Sequence, residues 1–204
     1  VFSRIRHRIY LLAQIKQSWA KREKDPGFRT LRYLLEAREA FPGHWPWPAP
    51  VLCLGPRNGL ELAYIRKAIE EPSACDQACC GGPHPTRTVE GLDLFSLDKD
   101  IRVGDMHKMP YQDNAFGLVW ASHVLEHARD IGAVLGEIRR VLRPGGWLFA
   151  AYPTEFKTNW HDRYDLGDPR NLMALGLGQS RLIYGHAIRR GESAEWSGLL
   201  EVHK

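Results

Sequence analysis

The sequence predicts an α/β protein with a mostly parallel sheet, helices on both faces and an antiparallel hairpin at its end. Three observations carry that expectation. Short uninterrupted apolar runs, such as Val51-Leu52-Cys53-Leu54, suit strands buried on both faces. These runs alternate with helical patterns. The chain then closes on two β-rich segments separated by Gly191-Glu192-Ser193. Its 204 residues suffice for one domain with a sizeable core. An apolar content of 44% excludes a wholly disordered chain, and 19 glycines without a period of three exclude collagen-like order. No run approaches the roughly 18 to 20 apolar residues of a membrane-spanning helix.

At the N-terminus, Ile5, Ile9, Leu12, Ile15 and Trp19 form a helical stripe that Asp25-Pro26-Gly27 ends. Residues 1–38 hold ten Lys/Arg and three Asp/Glu, a net +7, whereas the remainder holds eighteen and twenty-one, a net −3. A solvated basic helix face explains the head most simply; an anionic surface or nucleic acid is the other reading. The slightly acidic remainder gives nucleic-acid binding no support. Residues 1–22 lack any acid, which also suits a transit segment. A second helix is expected over residues 28–40. Pro42, Pro46, Pro48 and Pro50 then rule out a helix or inner strand and read as a linker. The expected organisation is therefore N-terminal helices with a Pro-rich linker over 1–50, and one domain over 51–204.

In that domain, strands are expected at 51–54, 88–94, 101–103, 116–121 and 146–152, with the closing pair at 181–188 and 196–202. Helices are expected over 58–71, with Leu62, Ile65 and Ile69 inward, and over 131–142, with a short one near Asn171. Residues 72–86 read as a loop. Cys75, Cys79, Cys80 and His84 within it are ligand types that zinc takes, but the spacing is not a common metal pattern, so no metal is expected. The cysteines do not spread like a secreted disulfide scaffold, which points to a reducing compartment such as the cytoplasm.

Open α/β sheets bind ligands beyond the carboxyl ends of their strands. The first such end offers Gly55-Pro56-Arg57-Asn58-Gly59, either a tight turn or a close approach for a ligand at a helix N-terminus. The second offers Asp93, an acceptor suited to a ribose diol. The third offers Asp105, which can accept from an adenine amino group, with Met106 to pack on the ring. The fourth offers Ser122 and His123.

In this order the residues resemble the class I S-adenosylmethionine-dependent methyltransferases of the small-molecule, type 11-like group. The resemblance covers roughly residues 51–153. It rests on Val51-Leu52-Cys53-Leu54-Gly55-Pro56-Arg57-Asn58-Gly59, Val89-Glu90-Gly91-Leu92-Asp93 and Gly104-Asp105-Met106-His107-Lys108-Met109-Pro110-Tyr111. Its most specific parts are Asn114-Ala115-Phe116-Gly117-Leu118-Val119-Trp120-Ala121-Ser122-His123-Val124-Leu125-Glu126-His127 and Val141-Leu142-Arg143-Pro144-Gly145-Gly146.

The resemblance implies a Rossmann-like seven-stranded sheet, its last strand antiparallel and inserted beside the fifth. It implies S-adenosylmethionine as cofactor and a small-molecule acceptor. Gly55 and Gly59 would lie against the cofactor's amino-acid end, Asp93 on its ribose with Leu94 beside the adenine, Asp105 and Met106 around the adenine, and Ser122 near the methionine portion. The chain departs from the pattern in two places. Cys53 stands where the family has an acid, for which Glu61 could compensate, and Arg57 stands where it has a glycine, from which it either crowds the cofactor or pairs with its carboxylate. A protic acceptor also needs a general base. Candidates are His123, Glu126, His127, His161, Asp162 and Tyr164, with His127 the first choice, and on a helix His123 and His127 would share one face. The N-terminal helices and residues 155–178 are expected on the acceptor side. Competing readings are a methyltransferase fold that has lost its chemistry and a dinucleotide-dependent oxidoreductase; the second lacks the Gly-x-Gly-x-x-Gly turn.

Overall fold

The computed structural model describes residues 12, 15–16, 25–40, 47–56, 58–70, 88–190 and 193–204. Arg57, the loop with Cys75, Cys79, Cys80 and His84, and most of the N-terminal stripe lie outside them.

The elements run α1 (Gly27–Ala40), β1 (Val51–Leu54), α2 (Gly59–Glu70), β2 (Val89–Asp93), β3 (Ile101–Val103), β4 (Phe116–Ser122), α3 (Ile131–Val141), β5 (Leu142–Thr154), β6 (Ser180–Arg190) and β7 (Ser193–Val202). A short helical segment at Arg170–Leu172 lies near Asn171, as expected. The seven strands form one sheet in the order β3-β2-β1-β4-β5-β7-β6. β1 to β5 pair in parallel, and β7 enters antiparallel between β5 and β6. This is the architecture the sequence and its resemblance imply.

The apolar runs are continuous because both faces of the sheet are covered. Alternate residues Leu52, Leu54, Val119, Ala121, Leu148 and Ala150 face α3, whose Val134, Leu135 and Ile138 are fully buried. Val51, Cys53, Leu118, Trp120 and Phe149 face the other way, against α1 and α2. There Leu62, Ile65 and Ile69 of α2 point inward, as the periodicity predicts. Asn58 Oδ1 accepts from the Leu60 and Glu61 amides at the start of α2, and Asp130 Oδ1 accepts from Ala133 at the start of α3.

α1 and Trp47 pack into this second layer. Trp120 and Phe149 stack at 3.9 Å, Trp47 lies 5.3 Å from Trp120, and Tyr33 lies 5.4 Å from Phe149. The residues around the linker therefore close one face of the sheet.

β5 begins earlier than the expected 146, because Leu142 already pairs with Phe116 before the register shifts at Leu118. His123 and His127 do not share a helix. His123 adopts a left-handed backbone (φ 52°), and only Leu125–His127 form a 3-10 turn. Among the described residues, no helix is long and apolar enough to cross a membrane.

Candidate functional site

The strand register brings the predicted residues to one edge. Leu54 of β1 pairs with Leu92 and with Ala121, so Gly55, Asp93 and Ser122 follow on neighbouring strands. Backbone bonds continue past the strand ends: Gly55 donates to Leu92 O at 2.8 Å, Gly104 to Asp93 O at 2.8 Å and His123 to Ala151 O at 2.7 Å.

Gly55 is required twice over. Its φ is +60°, and a Cβ there would stand 2.6 Å from Cγ2 of Val124. Gly55→Ala is expected to cost about 2–4 kcal/mol, from left-handed strain plus overpacking. Chemical denaturation checks this; a midpoint equal to wild type would contradict it. Gly59 opens α2, and its N–H donates to Asp98 Oδ2 at 2.9 Å. A Cβ at Gly59 would meet that oxygen at 2.3 Å. A carboxylate thus already sits where the sequence places an anion, at a helix N-terminus.

Asp93 Oδ1 accepts from the Phe95 amide at 3.0 Å, and burial pushes the Asp93 carboxyl up to about 6. Leu94 is half-buried beside it. Ser122 is buried, and its Oγ has no hydrogen-bond partner. Asp105 is more engaged than the sequence suggests. Its Oδ1 accepts from the His107 amide at 2.9 Å and lies 2.5 Å from His107 Nδ1, while Oδ2 accepts from Arg129 at 2.7 Å. Burial opposes ionisation of Asp105, but these partners outweigh it and hold the carboxyl below its usual range. Met106 packs on the core beside it.

Cys53 is fully inside the sheet. Burial raises its thiol well above the usual range, and the nearby charges of Glu61 and Asp93 add to that. Glu61 is itself buried and accepts from Thr30 Oγ1 at 3.4 Å. Glu61, in the first turn of α2, is therefore close enough to act on the Cys53 thiol.

Directly after β4 lies a second cluster. His127 Nδ1 stands 3.1 Å from Asp162 Oδ1 and 3.2 Å from His161 O. Both partners only accept, so Nδ1 carries the proton and Nε2 the lone pair. Asp162 therefore orients His127 from the segment after β5. Tyr164 completes the contact, its hydroxyl donating to Arg129 O at 3.3 Å.

Three members of this cluster have no signal in the sequence. Tyr33 Oη lies 3.0 Å and Glu195 Oε2 3.2 Å from His123 Nε2, and Arg32 pairs with Glu195. They come from α1 and β7, far from His123 in the chain. Burial opposes ionisation of Glu195, but hydrogen bonds from His123 and Arg32 outweigh it and hold the carboxyl at about 2. Between the two histidines sits Glu126, 2% exposed. Burial pushes its carboxyl up to about 8; the charges of Asp162 and Glu195 add to this, and Arg29 opposes it.

The segment over 155–178 divides. Residues 159–164 turn back to the histidine cluster, and Arg163 donates its amide to Glu126 O at 2.8 Å. Asp165, Gly167, Asp168, Pro169 and Arg170 instead line a cleft of about 720 Å³ against Leu182, Ala187 and Trp196.

Comparison with known proteins places this geometry. A methyltransferase domain family matches residues 84–150. The sterol 24-C-methyltransferase ERG6B of Gibberella zeae is 41% identical over 75 residues, 37% of this chain and 19% of that protein. Among solved structures, the 1,6-didemethyltoxoflavin-N1-methyltransferase of Burkholderia thailandensis superposes with a TM-score of 0.67 at 14% identity, covering 97% of this chain and 89% of that one. The [4+2]-cyclase SpnF superposes with a TM-score of 0.57 at 12% identity, covering 85% and 79%. In sheet order, and in sequence over residues 84–150, the chain is similar to class I S-adenosylmethionine-dependent methyltransferases. It spans between 19% and 34% of the length of the curated relatives it matches first.

Proposed function

We propose that this chain transfers a methyl group from S-adenosylmethionine to a small-molecule acceptor with an oxygen or nitrogen that must lose a proton. The observation that carries the reading is the convergence of Gly55, Asp93 and the unpartnered Ser122 Oγ at one edge of the sheet. These residues fit the cofactor. Gly55 leaves room for close approach, Asp93 offers a ribose diol a carboxylate, and Ser122 offers a buried hydroxyl without a competing partner. Leu94 and Met106 supply apolar surface for the adenine, with the Asp105 turn behind them. Arg57 is the proposed partner of the cofactor's carboxylate, since Asp98 occupies the helix N-terminus at Gly59.

When bound, the cofactor supplies a methyl group already activated on a sulfonium. The protein's work is to hold the acceptor in line and manage its proton. His127 Nε2 takes that proton, while Asp162 keeps Nδ1–H in place and stabilises the imidazolium that forms. α1 closes the acceptor side through Tyr33. The relatives named as methyltransferases support this reading over one in which the chemistry has been lost.

Calorimetric titration with S-adenosylhomocysteine tests it. Micromolar binding is expected, abolished by Asp93→Ala in protein that remains folded by circular dichroism. Because an ionised Asp93 accepts both diol hydroxyls more strongly than the neutral acid, and burial raises its carboxyl to about 6, affinity should fall as pH drops below that value. Folded wild type that ignores millimolar S-adenosylhomocysteine would overturn the proposal.

A further inference from the structure

The carboxyl of Glu126 is the least explained polar group at the site. It is 2% exposed, and its Oε2 has no hydrogen-bond partner. Its Oε1 lies 3.7 Å from His123 Nδ1 and 4.0 Å from His127 Nε2. Both rings have their outer nitrogens fixed by acceptors. His127 Nδ1 faces Asp162 and the His161 carbonyl. His123 Nε2 faces Glu195 Oε2 at 3.2 Å and the Tyr33 hydroxyl at 3.0 Å, and with that hydroxyl donating to Glu195 both present oxygen lone pairs to the ring. Each outer nitrogen therefore carries its proton, and each ring turns a lone pair towards Glu126. A buried carboxylate facing two lone pairs would leave three acceptors with no proton between them. One proton resolves this, and Glu126 is where it sits.

We propose that Glu126 is a positioning residue that joins His123 and His127 into a single proton-sharing unit. The inference rests on the proposed function for its purpose, but not for its test. When His127 Nε2 takes a proton from the acceptor, Glu126 can pass its own to His123 Nδ1. The carboxylate left behind then lies between two imidazolium rings. The outer carboxylates, Asp162 and Glu195, balance those charges, with Arg32 beside Glu195 and Arg29 of α1 also acting on Glu126. The incoming proton is thus spread over two rings and adds no unpaired buried charge. His123 is held for this by a left-handed backbone (φ 52°), the kind of strain that persists only where its surroundings fix it.

Nuclear magnetic resonance of imidazole-labelled protein tests the coupling without any substrate. In wild type, His123 and His127 should titrate as a coupled pair rather than as independent sites. Glu126→Gln removes the carboxylate that supports both imidazolium forms. Both midpoints should then fall by half a pH unit or more, and each curve should become single-site. Glu126→Asp should restore part of the coupling. His123→Gln should move the His127 midpoint although the two rings do not touch. Titrations unchanged by Glu126→Gln, or a His127 midpoint unmoved by His123→Gln, would overturn the proposal. Calorimetry with S-adenosylhomocysteine on the same variants separates the two readings. Absent binding with intact coupling counts against the proposed function alone, whereas normal binding without coupling counts against Glu126 alone.

Discussion

Raising the pH from 5 to 8 is expected to destabilise the protein by about 4 kcal/mol through one side chain, and Glu126→Gln should remove most of that loss. The sign follows from proton binding. Glu126 titrates near 4.5 when exposed and at about 8 in the folded chain. Below 4.5 both states hold the proton, and no penalty exists. Between the two values only the folded state holds it, so stability falls by about 1.4 kcal/mol per pH unit. Above 8 the penalty is complete. Asp93, raised to about 6, adds a smaller loss of the same sign below that pH. Glu195, held at about 2, stays ionised throughout and contributes nothing to the slope. Comparing wild type with Glu126→Gln cancels both. Thermal melts at four pH values read the effect as a wild-type midpoint that drops by roughly 10 °C more than the variant's. Parallel curves would mean that the carboxyl is not held neutral.

His127→Ala should lower turnover by about 10²- to 10⁴-fold, the usual contribution of a positioned base. S-adenosylhomocysteine affinity should stay within about twofold of wild type, because His127 belongs to the acceptor side and not to the Gly55–Asp93 edge. The measurement is methyl transfer from labelled S-adenosylmethionine to the first acceptor that a metabolite screen yields. Turnover equal to wild type would remove His127 as the base. Asp162→Asn should give a smaller loss, since the amide can present oxygen to Nδ1–H but brings no charge to the imidazolium.

The backbone was far more legible than the site. Strands such as β1 and β4 declare themselves because a sheet covered on both faces turns every residue inward, leaving uninterrupted apolar runs. The edge proposed for the cofactor shares that logic: Gly55 follows β1 while Asp93 and Ser122 end β2 and β4, so fixing the strands fixes their places. The residues proposed to handle the proton were only half visible. His123, Glu126 and His127 lie in one short stretch, but a helical spacing argument put the histidines on one face. The left-handed turn at His123 breaks that helix, and no local pattern announces a positive φ at a histidine. Tyr33 and Glu195 reach the same ring from opposite ends of the chain. Only the folding of α1 and β7 onto one side of the sheet brings them together.

The attachment of α1 to the sheet has a consequence for how such a protein can diversify. The family signature occupies residues 84–150, whereas Arg32, Tyr33 and Glu195 lie outside it. The His123 ring is therefore surrounded in part by residues from outside the matched segment. Substitutions in α1 or β7 can retune the basicity and shape of the acceptor side while the Gly55–Asp93 edge stays unchanged. A scaffold of this kind can vary the surroundings of one ring without altering the strand ends that carry Gly55 and Asp93.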